Sequence, residues 1–370
     1  MIKELVKSEF SKIKHLAYGS EHMEFTMDAI LNKTPIRIWV DNKKTPLSVF
    51  MWDKAYIFYF LGKSDNPIFN NAIKDLIMTE IKNKVHNIVK IEFHPKSWEI
   101  SLQEVFRSNY PTTQERVLLR FNKNNISNEN NSSIRQITKE ILESGIKNIV
   151  TIHEELNQMW DSFDDFFENG FGYCTIIEEN GEESVQGWCT GEYFSLNKCG
   201  IGIETFPSYQ SKGYATAMTI AFVNHALDKN ITVFWESYKR NLSSLRVAEK
   251  VGFDITQEYS VFLIGLKNVE AHKGRYFFAQ KEYSKAASCF IKATELETES
   301  KKDYLYNAAS CWALSGNKEL SLEYLKKSID SMENVSYGFI HYLKNDDRFK
   351  FLHQSKEWQT LISDIEELIK

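Results

Sequence analysis

Residues 205–218 read TFPSYQSKGYATAM, a strand end, a turn and the start of a helix. The turn holds Gln210, Ser211, Lys212 and Gly213 and no acidic residue. Helix first turns usually gain from Asp or Glu, because the macrodipole leaves partial positive charge there. A first turn without them suits an anion supplied from outside, such as a phosphate. Glycine at 213 permits a backbone conformation that a side chain would oppose, and it lets an anion approach successive N–H groups. Tyr214 follows, and Ala215 is small enough to leave the first helical turn open. Taken alone, Q-x-x-G-x-A also fits an ordinary strand–turn–helix connection. The nine histidines show no metal-ligand spacing and no HExxH, so no metal is expected. Cys189 and Cys199 lie on strand-like runs and read as core residues rather than nucleophiles.

The elements that would position this turn fall into three regions, 1–125, 126–265 and 266–370. A nearly pure Asn/Ser stretch at 122–133, NKNNISNENNSS, reads as a linker. The first region predicts helices over 3–16 and 23–32, strands over 35–41, 46–52 and 55–61, and a helix over 68–84. A strand over 87–93, a helix over 98–108 and a strand over 116–121 complete it. The second region predicts a helix over 153–167, a hairpin turning at Asn180-Gly181, a strand over 198–206 and a helix to about 228. A strand over 232–237, a helix N-capped by Asn241 and strands over 254–265 follow. The fold class is therefore α/β with a mixed sheet, in two copies of one plan. Past 266 almost everything is helical, with small and aromatic residues recurring at a period near 34.

Two motifs joined by a helix and a strand sharpen this reading. The turn resembles the pyrophosphate loop of the GNAT N-acetyltransferases, [RQ]-x-x-G-x-[GA]. Asn241, Ser244 and AEKVGF (248–253) resemble that family's N-x-x-[AS]…EKxGF ending. Glu204-Thr205-Phe206-Pro207 and Trp235-Glu236 resemble a bacterial subgroup typified by the zwittermicin A resistance acetyltransferase. The C-terminal period resembles two tetratricopeptide repeats. The resemblance implies tandem GNAT-like domains, the first degenerate because LGKSDNPIFNN (61–71) suits no phosphate cradle, followed by a TPR-like helical domain.

It also implies acetyl-CoA as co-substrate. The pyrophosphate would lie on Gln210, Ser211, Lys212, Gly213, Tyr214 and Ala215, with Asn241 and Ser244 nearby. The pantetheine would run between the strands ending near Phe206 and Tyr238. A main-chain N–H near Thr205 and Phe206 would stabilise the oxyanion. The attacking ammonium must lose a proton, so a carboxylate base is expected, and Glu236 and Glu204 are the two candidates. Either could instead anchor a cationic substrate. Ala248 stands where many members carry a tyrosine that protonates the leaving thiolate. Either Tyr238 or Ser244 takes that part, or the thiolate leaves with little help. Trp160 and Phe167 could border the acceptor cleft.

A net charge of -5 and the lack of a long basic run argue against a nucleic-acid binder. The most apolar runs are far too short to span a bilayer. The N-terminal amphipathic stretch is not a signal peptide, and five cysteines without a CxxC pair read as reduced thiols, so a cytoplasmic location is expected. The leading expectation is an N-acetyltransferase acting on a small-molecule amine. The alternatives are a non-catalytic acyl-CoA-binding adaptor with a protein partner on its helical repeats, and a peptide or protein N-acetyltransferase.

Overall fold

The computed structural model describes residues 2–33, 36–54, 57–85, 87–123, 126, 131–195, 197–297, 299–332, 335 and 337–367. Half of the 122–133 stretch lies outside them. In chain order the first region holds β1 (Lys3–Glu4), α1 (Glu21–Lys33), β2 (Arg37–Val40), β3 (Ser48–Trp52), β4 (Ile57–Gly62), α2 (Pro67–Leu76), β5 (Ile88–His94), α3 (Trp98–Val105) and β6 (Thr112–Phe121). The second holds β7 (Ile134–Gln136), α4 (Lys139–Glu143), α5 (Val150–Met159), α6 (Phe163–Asn169), β8 (Gly172–Glu179), β9 (Glu182–Ser195), β10 (Lys198–Thr205), α7 (Tyr214–Asp228), β11 (Thr232–Tyr238), α8 (Leu242–Val251) and β12 (Phe253–Gly265). Helices α9 (Val269–Ala279), α10 (Tyr283–Leu296), α11 (Lys301–Leu314), α12 (Lys318–Asp330), α13 (Tyr337–Lys344) and α14 (Lys356–Glu367) complete the chain.

Two predicted helices differ in detail. The 3–16 stretch is the short β1, paired with β2, followed by a 3-10 helix over Lys7–Ala17. Pairing with a sheet edge claims the first residues before a helix can. The 153–167 stretch breaks at Trp160, whose φ and ψ are -131° and 147°. Ser162 then opens a new helix, its side chain accepting from the Asp165 N–H. The ring of Trp160 packs against Phe166 and Phe194, beside the core under β9.

All twelve strands form one sheet in the order β1-β2-β3-β4-β5-β12-β6-β11-β10-β9-β8-β7. Strands β3 and β4 are buried on both faces because helices cover both. Phe50, Phe58 and Phe60 face α2 and α3, while Val49, Met51, Tyr59 and Leu61 face α1. At the seam the halves exchange strands: β12 pairs with β5, and β6 lies between β12 and β11. Val117, Leu119 and Phe121 of β6 therefore pack into the core of α7 and α8, although they precede the Asn/Ser stretch.

Each half contains a parallel strand–helix–strand unit, and the two units differ where it matters. In the first, β4 and β5 pair over five residues, from Ile57↔Lys90 to Leu61↔His94. In the second, β10 and β11 pair over three, from Lys198↔Thr232 to Gly200↔Phe234, and then part. The C-terminal helices pack through small residues, with Ala286, Ala293, Ala309 and Ser321 buried. They join the sheet where Tyr110 meets Tyr276 and Phe277, and where Asn87 donates to Glu297 at 2.8 Å.

Candidate active site

The splay of β10 from β11 leaves a slot whose walls carry unused backbone groups. Strand β10 is hydrogen-bonded to β9 on its other edge, and Phe206 N–H donates to Gln186 O at 2.9 Å. Alternation along an antiparallel ladder then turns the N–H groups of Gly202 and Glu204 toward β9 as well. Those of Ile203 and Thr205 face the slot. The Phe206 N–H is therefore spent on β9, and within the stretch expected to supply the oxyanion donor it is Thr205, with Ile203 two residues earlier, that faces the slot.

At the open end of the slot stands the N-terminus of α7. Gly213 has φ 87°, and a Cβ there would meet open space, so glycine serves the backbone turn and the approach of a ligand. Ser211 is also left-handed, at φ 60°. The first intrahelical bond runs from Ala217 N–H to Gly213 O, which leaves the N–H groups of Tyr214, Ala215 and Thr216 without a helical partner. No acidic residue lies in this first turn. Gln210 closes the loop by donating to Thr205 O at 3.0 Å. These residues line a cavity of about 580 Å³ with Glu204, Asn241, Ser244 and Lys250. Lys212 lays its ammonium 4.4 Å from the Tyr209 ring centroid.

Asn241 caps α8 by accepting from Ser244 N–H and the Ser243 hydroxyl. Ser244 Oγ accepts the Trp235 indole N–H at 2.9 Å, which leaves the serine proton to donate into the cavity. Asn241→Ala should cost about 1 kcal/mol through the lost cap. The check is a fall in Tm of roughly 1 °C by calorimetry, with weaker CoA binding because Ser244 loses its support.

A second cavity of about 540 Å³ continues across the sheet and shares Ile203, Trp235, Asn241 and Ser244 with the first. Its walls are charged. Glu236, on β11, is held by His22 Nδ1 at 2.7 Å and Arg116 Nη2 at 3.4 Å. Burial pushes its carboxyl up, but the charge and hydrogen bond of His22 outweigh that and hold it below the ordinary range. His22, from α1, also contacts Glu92 on β5 at 3.0 Å and stacks on the Tyr259 ring at 3.9 Å. Burial alone would lower the imidazolium, yet Glu236 and Glu92 raise it to about 9. Lys90 contacts Glu92 at 2.6 Å and, with His22, holds that carboxyl far below its usual value against the opposing effect of burial.

Glu192 on β9 is the carboxylate that motif reading missed. It lines this cavity, and its side chain fills the space that a Cβ on Gly202 would need. Burial, then the neighbouring Glu155 and Glu236, push it up to about 8. Glu155, on α5, rises to about 7 by burial and the nearby Glu204. Glu204 itself is exposed at the end of β10, in the loop cavity rather than beside Glu236. Tyr238 lines the charged cavity with its ring 4.6 Å from the Arg116 guanidinium. Ala248 is fully buried in the α7–α8 core. Among the described residues no cluster of His, Cys, Asp or Glu could hold a metal ion.

A slot of unpaired strand edge, a helix N-terminus opened by glycine and an adjoining carboxylate-lined cavity define an acyltransferase that takes its acyl group from CoA. The chain belongs to the GNAT acetyltransferase family, whose model matches residues 15–262. It is similar to the uncharacterized N-acetyltransferase YdfB of Bacillus subtilis (strain 168), at 21% identity over 270 residues, 72% of this chain and 99% of that protein. Among solved structures it resembles a GCN5-related N-acetyltransferase-like protein from Streptococcus suis 89/1591, with a TM-score of 0.50 and 16% identity over 69% of this chain and 98% of that one. A GCN5-related N-acetyltransferase from Sphaerobacter thermophilus matches with a TM-score of 0.51 and 10% identity over 72% and 95% of the two chains. These two likenesses concern the fold.

Proposed function

We propose that the protein acetylates the primary amine of a small molecule, with acetyl-CoA as donor and Glu192 as the base. The observation that carries this reading is the continuity of the β10/β11 slot with the carboxylate-lined cavity through Trp235 and Ile203. Bound acetyl-CoA would supply the activated acyl carbon. The N–H groups of Tyr214, Ala215 and Thr216 suit its pyrophosphate, and those of Ile203 and Thr205 suit the oxygen on which charge develops. Glu192 is preferred to Glu236 because Glu236 is engaged by two cations, whereas Glu192 has a proton affinity matched to taking a proton from an ammonium. Ser244 and Tyr238 remain the donors nearest the leaving thiolate. The first half has no second donor site, because β4 and β5 stay paired where β10 and β11 part.

Thiol release from acetyl-CoA across a panel of amines tests the reading. CoA binding without turnover of any amine would support an acyl-CoA-binding adaptor instead. The loop is tested separately by Gly213→Asp, which sets a carboxylate against the pyrophosphate. A loss of roughly ten- to thirtyfold in CoA affinity is expected, about 1–2 kcal/mol. Gly213→Asn carries the same backbone strain without the charge and should lose much less.

Helices α9 to α12 we read as two tetratricopeptide-like repeats, with α13 and α14 as a cap. Gly274 against the Phe290 ring and Ser321 donating to Ala309 O at 3.0 Å support this, since both allow helices to approach closely. The subgroup resemblance rests on Glu204–Pro207 and Trp235-Glu236. We also propose a cytoplasmic location, which five buried and unpaired cysteines suit.

A further inference from the structure

We infer that the acceptor is an amino acid or similar carboxylate-bearing amine, and that Arg116 and Lys90 receive its carboxylate. The inference deepens the proposed amine acetylation and rests on it.

The charged cavity is not an anionic pocket for a polyamine. Among the described residues, the carboxylates that His22, Lys90 and Arg116 pair with are Glu92 and Glu236, which are already engaged. Glu192 holds its proton at neutral pH and so adds no compensating charge there. The buried cluster therefore has one positive charge in excess, in surroundings where an unpaired charge is expensive.

The donors show where an anion would be received. Arg116 has five N–H groups. Its Nε donates to Tyr259 Oη at 3.2 Å, and its Nη2 reaches Glu236 only at 3.4 Å. Among the described residues Nη1 has no partner. The guanidinium lies over Tyr238, 4.6 Å from the ring centroid, which holds the fork flat toward the cavity that Arg116 lines. Lys90 Nζ has three N–H groups, and Glu92 takes one. Two under-used cations, one a planar fork, match a carboxylate. Glu192 lines the same cavity and would face the amine, while Phe25, Ile88 and Leu263 supply an apolar wall for the body of the molecule. An acceptor with several amines and no anion would set its spare charges against Arg116 and Lys90.

The test compares matched acceptors with the full-length protein. Leucine and phenylalanine are each assayed beside their own amides and their decarboxylated amines, with thiol release from acetyl-CoA as readout. A kcat/KM for the acid at least tenfold above that of its amide is expected, and the ratio should collapse toward one in Arg116→Gln. Lys90→Gln reads the same ratio if the arginine variant does not fold. Equal turnover of acid and amide by the unmodified protein would overturn the inference while leaving amine acetylation intact. No turnover of any amine would instead count against the proposed activity. In that case calorimetric titration of N-acetyl-phenylalanine and its amide still decides: tenfold tighter binding of the acid supports the inference, and equal or weaker binding overturns it.

Discussion

Replacing Glu192 by Gln is expected to lower kcat by about 10²–10⁴-fold, the usual range for loss of a general base, with KM little changed. The substitution suits the site because Glu192 keeps its proton up to about pH 8, so a neutral amide of the same shape should fold as the parent does. In the parent, log kcat/KM should rise with unit slope up to about pH 8 and then level, following ionisation of Glu192. In the variant that rise should be absent. Stability supplies a second readout. The unfolded chain releases this proton at the ordinary value of about 4.5, and the folded protein releases it at about 8. Between those values the folded state binds more protons, so stability falls as pH rises. Glu192→Gln should remove that part of the fall, and its Tm should exceed that of the parent most at pH 8–9. A loss of less than tenfold with the pH profile unchanged would move the base elsewhere, and Glu236→Gln and Glu204→Gln would then be the variants to compare.

The geometry of the glycine turn and of the Asn241 cap was legible because it is local. Gly213 and Ala215 act through backbone close to their own position, and Asn241 caps the helix it opens. The charged cavity is assembled from α1, β5, β6, β9 and β11, with 70 residues between His22 and Glu92 and 120 between Arg116 and Glu236. No spacing rule links such positions. Signals existed nonetheless. Lys90 and Glu92 interrupt NIVKIEF, an apolar run destined for a covered sheet, and a charge in that setting requires a partner. Gly200 and Gly202 alternate along β10, which marks a close approach, and in the fold that approach is Glu192. The oxyanion donor could be placed only as near Thr205 and Phe206, because parity on a strand depends on which neighbour claims which edge. The pairing of Phe206 with Gln186 decides that, and it is not visible in either segment alone. The insertion of β12 between β5 and β6 is hidden for the same reason.

His22→Leu should destabilise the protein by roughly 3 kcal/mol, the lower end for removing one partner of a buried ion pair. The lower end applies because each carboxylate left behind keeps one cation: Glu92 retains Lys90, and Glu236 retains Arg116. A drop in Tm of roughly 4 °C would follow for a chain of 370 residues. His22 has its folded value raised to about 9 from an ordinary 6.5, so its contribution is complete below pH 6.5 and is lost as pH rises through 9. The difference in Tm between parent and variant should therefore be large at pH 6 and shrink toward pH 9.5. A difference that stays constant across that range would show that His22 acts by packing on Tyr259 and not by its charge. Adding Glu236→Gln to the variant should cost less than the sum of the two single changes, since the glutamine leaves no carboxylate to strand. Because His22 belongs to α1 and Glu236 to β11, this pair joins the first region to the slot-bearing strand. Its loss should loosen the Arg116 fork together with the seam, so acceptor KM should rise in His22→Leu at temperatures well below its Tm, while CoA affinity, set at the far end of the slot, changes little.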